Sequence, residues 1–320
     1  QTDETVIVNV DNFVRAETAF QFDRALSLVE GGEVNTFVHL REPTPLDKQN
    51  VIRMNRDTYY SAAIVDISEG ATLSIPETNG RYVSVMVVNE DHYINEIYHK
   101  AGTYKLSMKK FGTPYVMVSI RTLVDVSDTE DIEKVWAIQD GITIKAKSAR
   151  PYTHPNYDQA SYEATYKPLI ELSRGMPETK RMFGKEGEVD KVRHLLGTAF
   201  GWGGLPEYEA FYLTIEPNLP RGAYELTVKD VPVDAFWSIS AYNRDGYFQE
   251  NEHDSYSVNN ITGTPNEDGS FTVHFGGDPS SSNYLHITEG WNYTVRLYQP
   301  RKEILEGKWV FPDVKPVKSK

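Results

Sequence analysis

The sequence predicts an α+β protein: a mixed N-terminal part with helices and strands, then a C-terminal antiparallel β-sandwich of jelly-roll-like type. Three observations carry this expectation. Helical periodicities and apolar strand runs both occur over the first 205 residues. From residue 210 onward, short alternating segments recur with turn signals between them. No long helical pattern interrupts that second series. The expected division is residues 1–150 as a mixed α/β domain, 151–205 as a helical connector and 206–320 as the β-sandwich.

Taken in order, residues 12–30 read as a helix, with Phe22, Leu26 and Val29 on one face. Asp11 or Asn12 is positioned to cap it, and Gly31-Gly32 to end it. Residues 41–50, with Pro43 and Pro45, read as a loop. Ala62 to Val65 is a buried strand, Arg81 to Val88 a central strand, and Tyr115 to Arg121 another. Ser127-Asp128-Thr129-Glu130 has capping-box spacing and opens a short helix that ends before Gly141. A further helix carries Tyr162, Tyr166 and Leu169 and is interrupted or kinked by Pro168. A third places Val189, Val192, Leu196, Ala199 and Phe200 on one face, then runs into a turn at Gly201 to Pro206. Expected strands follow at 211–215, 224–228, 235–242, 271–275 and 293–298, with turns at Asp245-Gly246, Asp268-Gly269, Gly276-Gly277 and Glu289-Gly290.

Composition narrows the function classes. A net charge of −13 disfavours nucleic acid and anionic membrane surfaces, which would repel the chain. The longest apolar run, Val85 to Val88, is far shorter than the ~20 residues of a membrane span, so no membrane insertion is expected. With no cysteine, disulfides, thiolate metal sites and a cysteine nucleophile are excluded. A start at Gln1 rather than Met leads to the expectation that a signal peptide has been removed and that the protein is periplasmic or secreted. Twenty tyrosines suit β-structure and polar binding surfaces alike.

The densest chemistry lies in Asn55-Arg56-Asp57-Thr58-Tyr59-Tyr60-Ser61, which feeds directly into the Ala62–Val65 strand. A polar segment joined to a core strand is rigidly placed, as a site requires. Two readings stand: a catalytic or binding motif, or a structural Arg/Asp pair with core tyrosines. No Gly-x-Ser-x-Gly elbow, clustered-histidine metal pattern or nucleotide-binding glycine loop occurs in the sequence, so neither a cofactor nor a local metal motif is expected. Glu250, Glu252, His253 and Asp254 fall between two expected strands, where a solvated loop competes with an acid/base site. Arg121 and Arg296 end or interrupt apolar strands and need acceptors. Trp202, Trp237 and Tyr242 offer aromatic walls or core packing.

Together these segments resemble a pair of adjoining bacterial domain families of unknown function, DUF-twelve-fifty-four and DUF-twelve-fourteen. The first resemblance rests on Asn55 to Ser61, Gly80-Arg81-Tyr82 and Arg121 to Val124. The second rests on Gly201 to Pro206, Phe236-Trp237-Ser238, Tyr242-Asn243 with Asp245-Gly246, Asp268-Gly269-Ser270, Val295 to Pro300 and Trp309 to Pro312. Asn283-Tyr284-Leu285-His286 stands where the family often has Asn-Trp-Leu-Pro, a change that alters a loop bordering any site. The resemblance implies an exported protein with a mixed N-terminal part and a jelly-roll-like C-terminal part.

Two functions follow as expectations. One is a protein that binds a small polar or carbohydrate-like ligand in a cleft between the domains, using Asn55, Arg121, Trp202, Tyr242 and Asn243. The other is a hydrolase or lyase in which Asp57, or a carboxylate among Glu250, Glu252 and Asp254, supplies acid/base chemistry. Tyr59 would assist it, and Arg56 would anchor an anionic group.

Overall fold

The structure, a computed structural model, describes residues 4–49, 52–174, 176 and 178–317. Gln1, on which the expectation of a removed signal peptide rests, lies outside them, as does Asn50 at the end of the expected 41–50 loop. Helices and largely antiparallel sheets are combined in one chain, an α+β fold. The chain forms two compact units: residues 1–42 with 58–206, and residues 43–57 with 207–320. This differs from the division expected from sequence. Residues 151–205 pack within the first unit, and 43–57 form part of the second.

The first unit contains β1 (Thr5–Val6), α1 (Phe13–Ser27), β2 (Val38–His39), β3 (Thr58–Asp66), β4 (Ala71–Ile75), β5 (Val83–Asn89) and β6 (Ile94–Tyr98). It continues with β7 (Gly102–Leu106), α2 (Met108–Phe111), β8 (Tyr115–Leu123), α3 (Thr129–Gly141), β9 (Thr143–Ala146), β10 (Asn156–Tyr157), α4 (Gln159–Ser173) and α5 (Lys191–Gly201). A five-stranded antiparallel sheet runs β2-β3-β8-β5-β6, and a three-stranded one runs β7-β4-β9. Alternation sorts the two faces of the larger sheet. Ala63, Val65, Val83, Val85, Val87, Val116, Val118 and Ile120 join Leu73, Ile75, Leu106 and Ile138 in one core. Burying each large aliphatic side chain contributes about 1.5–3 kcal/mol. A second core joins Val8, Phe13 and Ala16 to Leu169, Leu196 and Ala199, which is why the expected connector belongs to this unit.

Local differences from the sequence reading have local causes. Helix α1 stops at Ser27, and Glu30–Gly32 form a separate 3-10 turn with Gly31 and Gly32 at positive φ. Asn12 does not cap it; its Oδ1 accepts from the Asn9 N–H at 2.9 Å. Helix α3 is capped by Asp128, which accepts from the Glu130 N–H at 2.9 Å, while the Ser127 hydroxyl donates to Asp125. Helix α4 continues through Pro168. Helix α5 buries part of the face its apolar spacing indicates: Leu196 and Ala199 are buried, as is Val189 just before the helix. Val192 and Phe200 are exposed, whereas His194, Gly197 and Thr198 are buried. A β-carbon at Gly197 would stand 2.8 Å from Met182 Cβ, so close packing of that segment selects the face.

His92 is fully buried in this unit. Its Nε2 accepts from the Gly203 N–H at 2.9 Å, and its Nδ1 bonds Thr198 Oγ1 at 2.8 Å. Its ring stacks on Trp202 and on His194.

The second unit contains β11 (Ala210–Ile215), β12 (Tyr224–Val228), β13 (Trp237–Tyr242), β14 (Ser257–Asn259), β15 (Phe271–Phe275), β16 (Tyr284–Leu285), β17 (Asn292–Tyr298), α6 (Lys302–Leu305) and β18 (Lys315–Pro316). Its sheets run β11-β17-β13-β14, antiparallel throughout, and β16-β15-β12-β18, antiparallel except for the short β15–β16 pair. Trp237, Ile239, Ala241, Val295 and Leu297 from the first sheet meet Leu226, Val228, Val273 and Phe275 from the second in one core. Gly246, Gly269 and Gly290 hold positive φ at turns between strands, a conformation that glycine adopts without steric cost.

His92 sets an acid limit on the first unit. Burial first, then the nearby His194, pushes its pKa well below the ordinary 6.5. Above 6.5 the ring is neutral in both folded and unfolded chains, and its native bonds contribute fully. Below that value the unfolded chain gains a proton that the native site refuses, and stability falls. The thermal midpoint of wild type is expected to drop between about pH 7.5 and about pH 5 more steeply than that of His92→Asn, as followed by circular dichroism. Equal slopes would remove His92 as the cause.

Candidate functional site

The motif singled out from sequence is divided between the two units. Asn55, Arg56 and Asp57 belong to the second unit, and Thr58 opens β3 of the first. Residues 52–57 form a strap over the polar face of the β11-β17-β13-β14 sheet. Strand alternation builds that face: Trp237, Ile239 and Ala241 point into the core, so Ser238, Ser240 and Tyr242 point the other way. Ser257 is the register partner of Ser240, and Arg296 that of Ser238.

Asp57 is 2% exposed. Ser238 Oγ donates to its Oδ2 at 2.5 Å, and Ser257 Oγ donates to its Oδ1 at 2.9 Å. Ser240 Oγ donates to Ser257 Oγ at 3.2 Å and accepts from Arg296 Nη1 at 2.9 Å. Arg296 is itself buried; its Nη2 donates to the Arg53 and Met54 carbonyls and to the Tyr242 hydroxyl at 2.7, 3.1 and 2.8 Å. Tyr242 in turn donates to the Met54 carbonyl at 2.7 Å. Burial opposes the Arg296 charge, but Tyr242, Tyr298 and Asp57 more than offset it and raise its pKa. Burial pushes the Tyr242 phenol up, so it stays a hydroxyl. The network fastens the strap to the sheet and holds the carboxylate of Asp57 away from water.

The other residues expected at a site are placed as follows. Arg56 lies over the Tyr256 ring at 4.9 Å and the Phe248 ring at 5.8 Å, and its Nη1 donates to the Thr44 carbonyl at 3.4 Å. Asn55 Nδ2 donates to the Tyr298 hydroxyl at 3.0 Å, and its Oδ1 accepts from the Asp57 N–H at 2.8 Å. Asn243 shapes a turn, its Oδ1 accepting from the Asp245 and Tyr247 N–H groups, each at 3.0 Å. Glu250, Glu252 and Asp254 are exposed on a loop. In the first unit, Tyr59 is buried with Val124 and Val135. Arg121 lies against the Tyr60 ring and donates to the Gly203 carbonyl at 2.9 Å. Trp202 stacks on His92 and donates from Nε1 to Thr18 Oγ1 at 3.0 Å. Asn55, Asp57 and Tyr242 are thus brought together, in a buried network. Among the described residues, no group of three or more His, Asp or Glu side chains is arranged to hold a metal ion.

An open groove of about 680 Å³ lies elsewhere in the first unit, lined by Leu28–Gly31, Glu33, Thr36–His39 and Arg41. Its floor includes the edge strand β2. The Phe37 and His39 rings stack at 5.7 Å and 22°. His39 Nδ1 bonds Ser61 Oγ at 2.7 Å, and its Nε2 has no hydrogen-bond partner among the described residues. Ser61, the last residue of the sequence motif, accepts from Gln139 Nε2 at 3.2 Å. Desolvation, then the positive charge of Arg41, lowers the His39 pKa, which keeps the imidazole neutral near pH 7. Arg41 is ion-paired with Asp140. The sequence reading did not single out His39 or Gln139. The available signal was Phe37, His39 and Arg41 at alternate positions, the spacing of one strand face.

The fold and these networks define a class: a two-unit α+β protein whose motif segment crosses from one unit to the other. Residues 34–146 match the family described as a protein of unknown function (DUF1254), and residues 216–302 match that described as a protein of unknown function (DUF1214). The chain therefore carries both members of this family pair, in the order its motifs indicate. The strap lies inside the DUF1254 match but packs with the unit that contains the DUF1214 match.

No curated protein sequence matches the chain. A solved structure of a Vibrio parahaemolyticus protein is similar over 97% of this chain and 100% of that one, with a TM-score of 0.71 and 18% identity. A putative uncharacterised protein from Burkholderia cenocepacia is similar over 97% of this chain and 95% of its own, with a TM-score of 0.55 and 14% identity. At these identities the likeness is one of fold.

The serine cradle predicts the cost of opening it. Asp57→Ala leaves the Ser238 and Ser257 hydroxyls without their acceptor and the buried Arg296 without its nearby carboxylate, and is expected to lower unfolding stability by about 3–5 kcal/mol. Ser257→Ala, which removes one donor, is expected to cost about 1–3 kcal/mol. Urea unfolding of the second unit, monitored by tryptophan fluorescence, measures both; an Asp57→Ala loss below that of Ser257→Ala would contradict the clamp.

Proposed function

We propose that the protein is an exported, periplasmic or secreted, binding protein that takes a small polar or carbohydrate-like ligand in the groove lined by Phe37, His39 and Arg41. The supporting observation is the groove itself. It combines a stacked aromatic pair, an imidazole nitrogen with no hydrogen-bond partner among the described residues and the polar residues Glu30 and Glu33 in a volume suited to a small ligand. The C–H face of a sugar ring packs on flat aromatic surfaces, and its hydroxyls bond to side chains at the rim. Export is supported by the family resemblance. Among the described residues, no helix is long and apolar enough to cross a membrane.

A hydrolase or lyase reading draws on Asp57 as the acid/base and Arg56 as the anchor. Asp57 is enclosed by two serine hydroxyls, and Arg56 lies over two aromatic rings. The binding reading has the more open chemistry, since the groove offers groups that water and a ligand can reach.

A thermal-shift series with neutral sugars and small carboxylic acids tests this reading. A true ligand at ~100 times its dissociation constant stabilises by about 2.7 kcal/mol, a shift of several degrees. That shift is expected in wild type and lost in the double variant Phe37→Ala/His39→Ala. Equal shifts in both proteins, or none in wild type with any compound, would remove the groove as the site.

A further inference from the structure

We infer that Ser61 and Gln139 fix His39 as a hydrogen-bond donor toward the groove, so that its ligand is a neutral polyhydroxy compound presenting an acceptor oxygen to Nε2. The ligand class rests on the reading of the groove as the binding site; the orientation of the imidazole does not.

The direction of the relay follows from counting donors and acceptors. Gln139 is fully buried, and its Nε2 faces the Leu40 and Tyr60 carbonyls at 3.3 Å each as well as Ser61 Oγ. Carbonyl oxygens only accept, so the nitrogen of the amide points this way and shares its two hydrogens among the two carbonyls and Ser61 Oγ, offering Ser61 no acceptor. Ser61 is 1% exposed, and its own hydroxyl hydrogen needs an acceptor. His39 Nδ1, at 2.7 Å, is the acceptor within reach among the described residues. Nδ1 is therefore unprotonated, and the proton of the neutral imidazole sits on Nε2. The opposite tautomer would direct two donors at Ser61 and strand the hydroxyl hydrogen in the interior. Ser61 and Gln139 are positioning residues; His39 is the group that meets the ligand.

The surrounding charges select among ligands that offer an acceptor. Arg41 is engaged by Asp140, while Glu30 and Glu33 bring two carboxylates to the groove. A small acid meets these carboxylates, and the cation among the lining residues, Arg41, is already paired with Asp140. A primary amine is suited to the carboxylates but presents donors to the Nε2–H. A neutral polyol satisfies both: one oxygen accepts from His39, and hydroxyls donate to the glutamates.

Imidazole nitrogen NMR on the full-length, ligand-free protein at neutral pH reads the tautomer, with the His39 signals assigned by their loss in His39→Gln. A protonated-type Nε2 and an unprotonated-type Nδ1 are expected, and Ser61→Ala should shift the pair toward a mixture. A protonated Nδ1 in wild type, or an unchanged pattern in a folded Ser61→Ala, overturns the relay. If Ser61→Ala does not fold, Gln139→Leu serves as the second variant, with the same two outcomes. Glucose, glucuronate and glucosamine then probe the ligand class by thermal shift. A midpoint shift largest for glucose supports it. A larger shift for the acid or the amine, or none for any of the three, overturns the class and leaves the tautomer result as an independent finding.

Discussion

The structure of the second unit depends on two charges buried within it. Asp57 and Arg296 are each almost fully enclosed, and burying charges is unfavourable unless every lone pair and proton is engaged. The solution is a row of serines on one face of β13 and β14, closed by Tyr242 and by the Arg53 and Met54 carbonyls. Such a network tolerates little displacement, because removing one member leaves others unsatisfied. It explains why a stretch dense in polar groups directly precedes a core strand. Asn55 to Asp57 are anchored to one unit, and β3 begins at Thr58 in the other.

That arrangement separates the roles of the motif residues. Asp57 and Arg56 have the chemistry of an acid/base and an anion anchor; here Asp57 accepts from two serine hydroxyls and Arg56 lies over two aromatic rings. Ser61, the last residue of the same motif, bonds to His39, which lines the open groove. Buried polar residues thus act in two ways here. In the strap they fix the backbone, and under the groove they set the donor direction of a ring that meets solvent.

Much of the fold was legible because local patterns and tertiary environment agreed. The expected segments at 224–228 and 271–275 are the strands β12 and β15, where alternation coincides with a half-buried sheet and, for β15, Gly276-Gly277 follow. Strands such as Ile94–Tyr98, with one buried residue and four half-buried ones, lack that contrast and left no signal. The α5 face was legible at Leu196 and Ala199 but not at Val192 and Phe200, because the close approach at Gly197 also turns His194 and Thr198 inward. The environment of Asp57 was illegible for a different reason. Its serine partners lie 181 and 200 residues further along the chain, and no local pattern announces them. His39 stood as an isolated histidine in the sequence; only the partners contributed by β3 and α3 give it a direction.

The central claim is that residues 53–57 are an integral part of the second unit and not a surface loop. Native-state hydrogen exchange tests it most directly. The Arg53 N–H, bonded to the Gly246 carbonyl at 2.7 Å, and the Asp57 N–H should exchange together with the β13 and β17 amides, through unfolding of that unit. Exchange of these two amides at the fast rate of an exposed loop, with β13 and β17 still protected, would contradict the account.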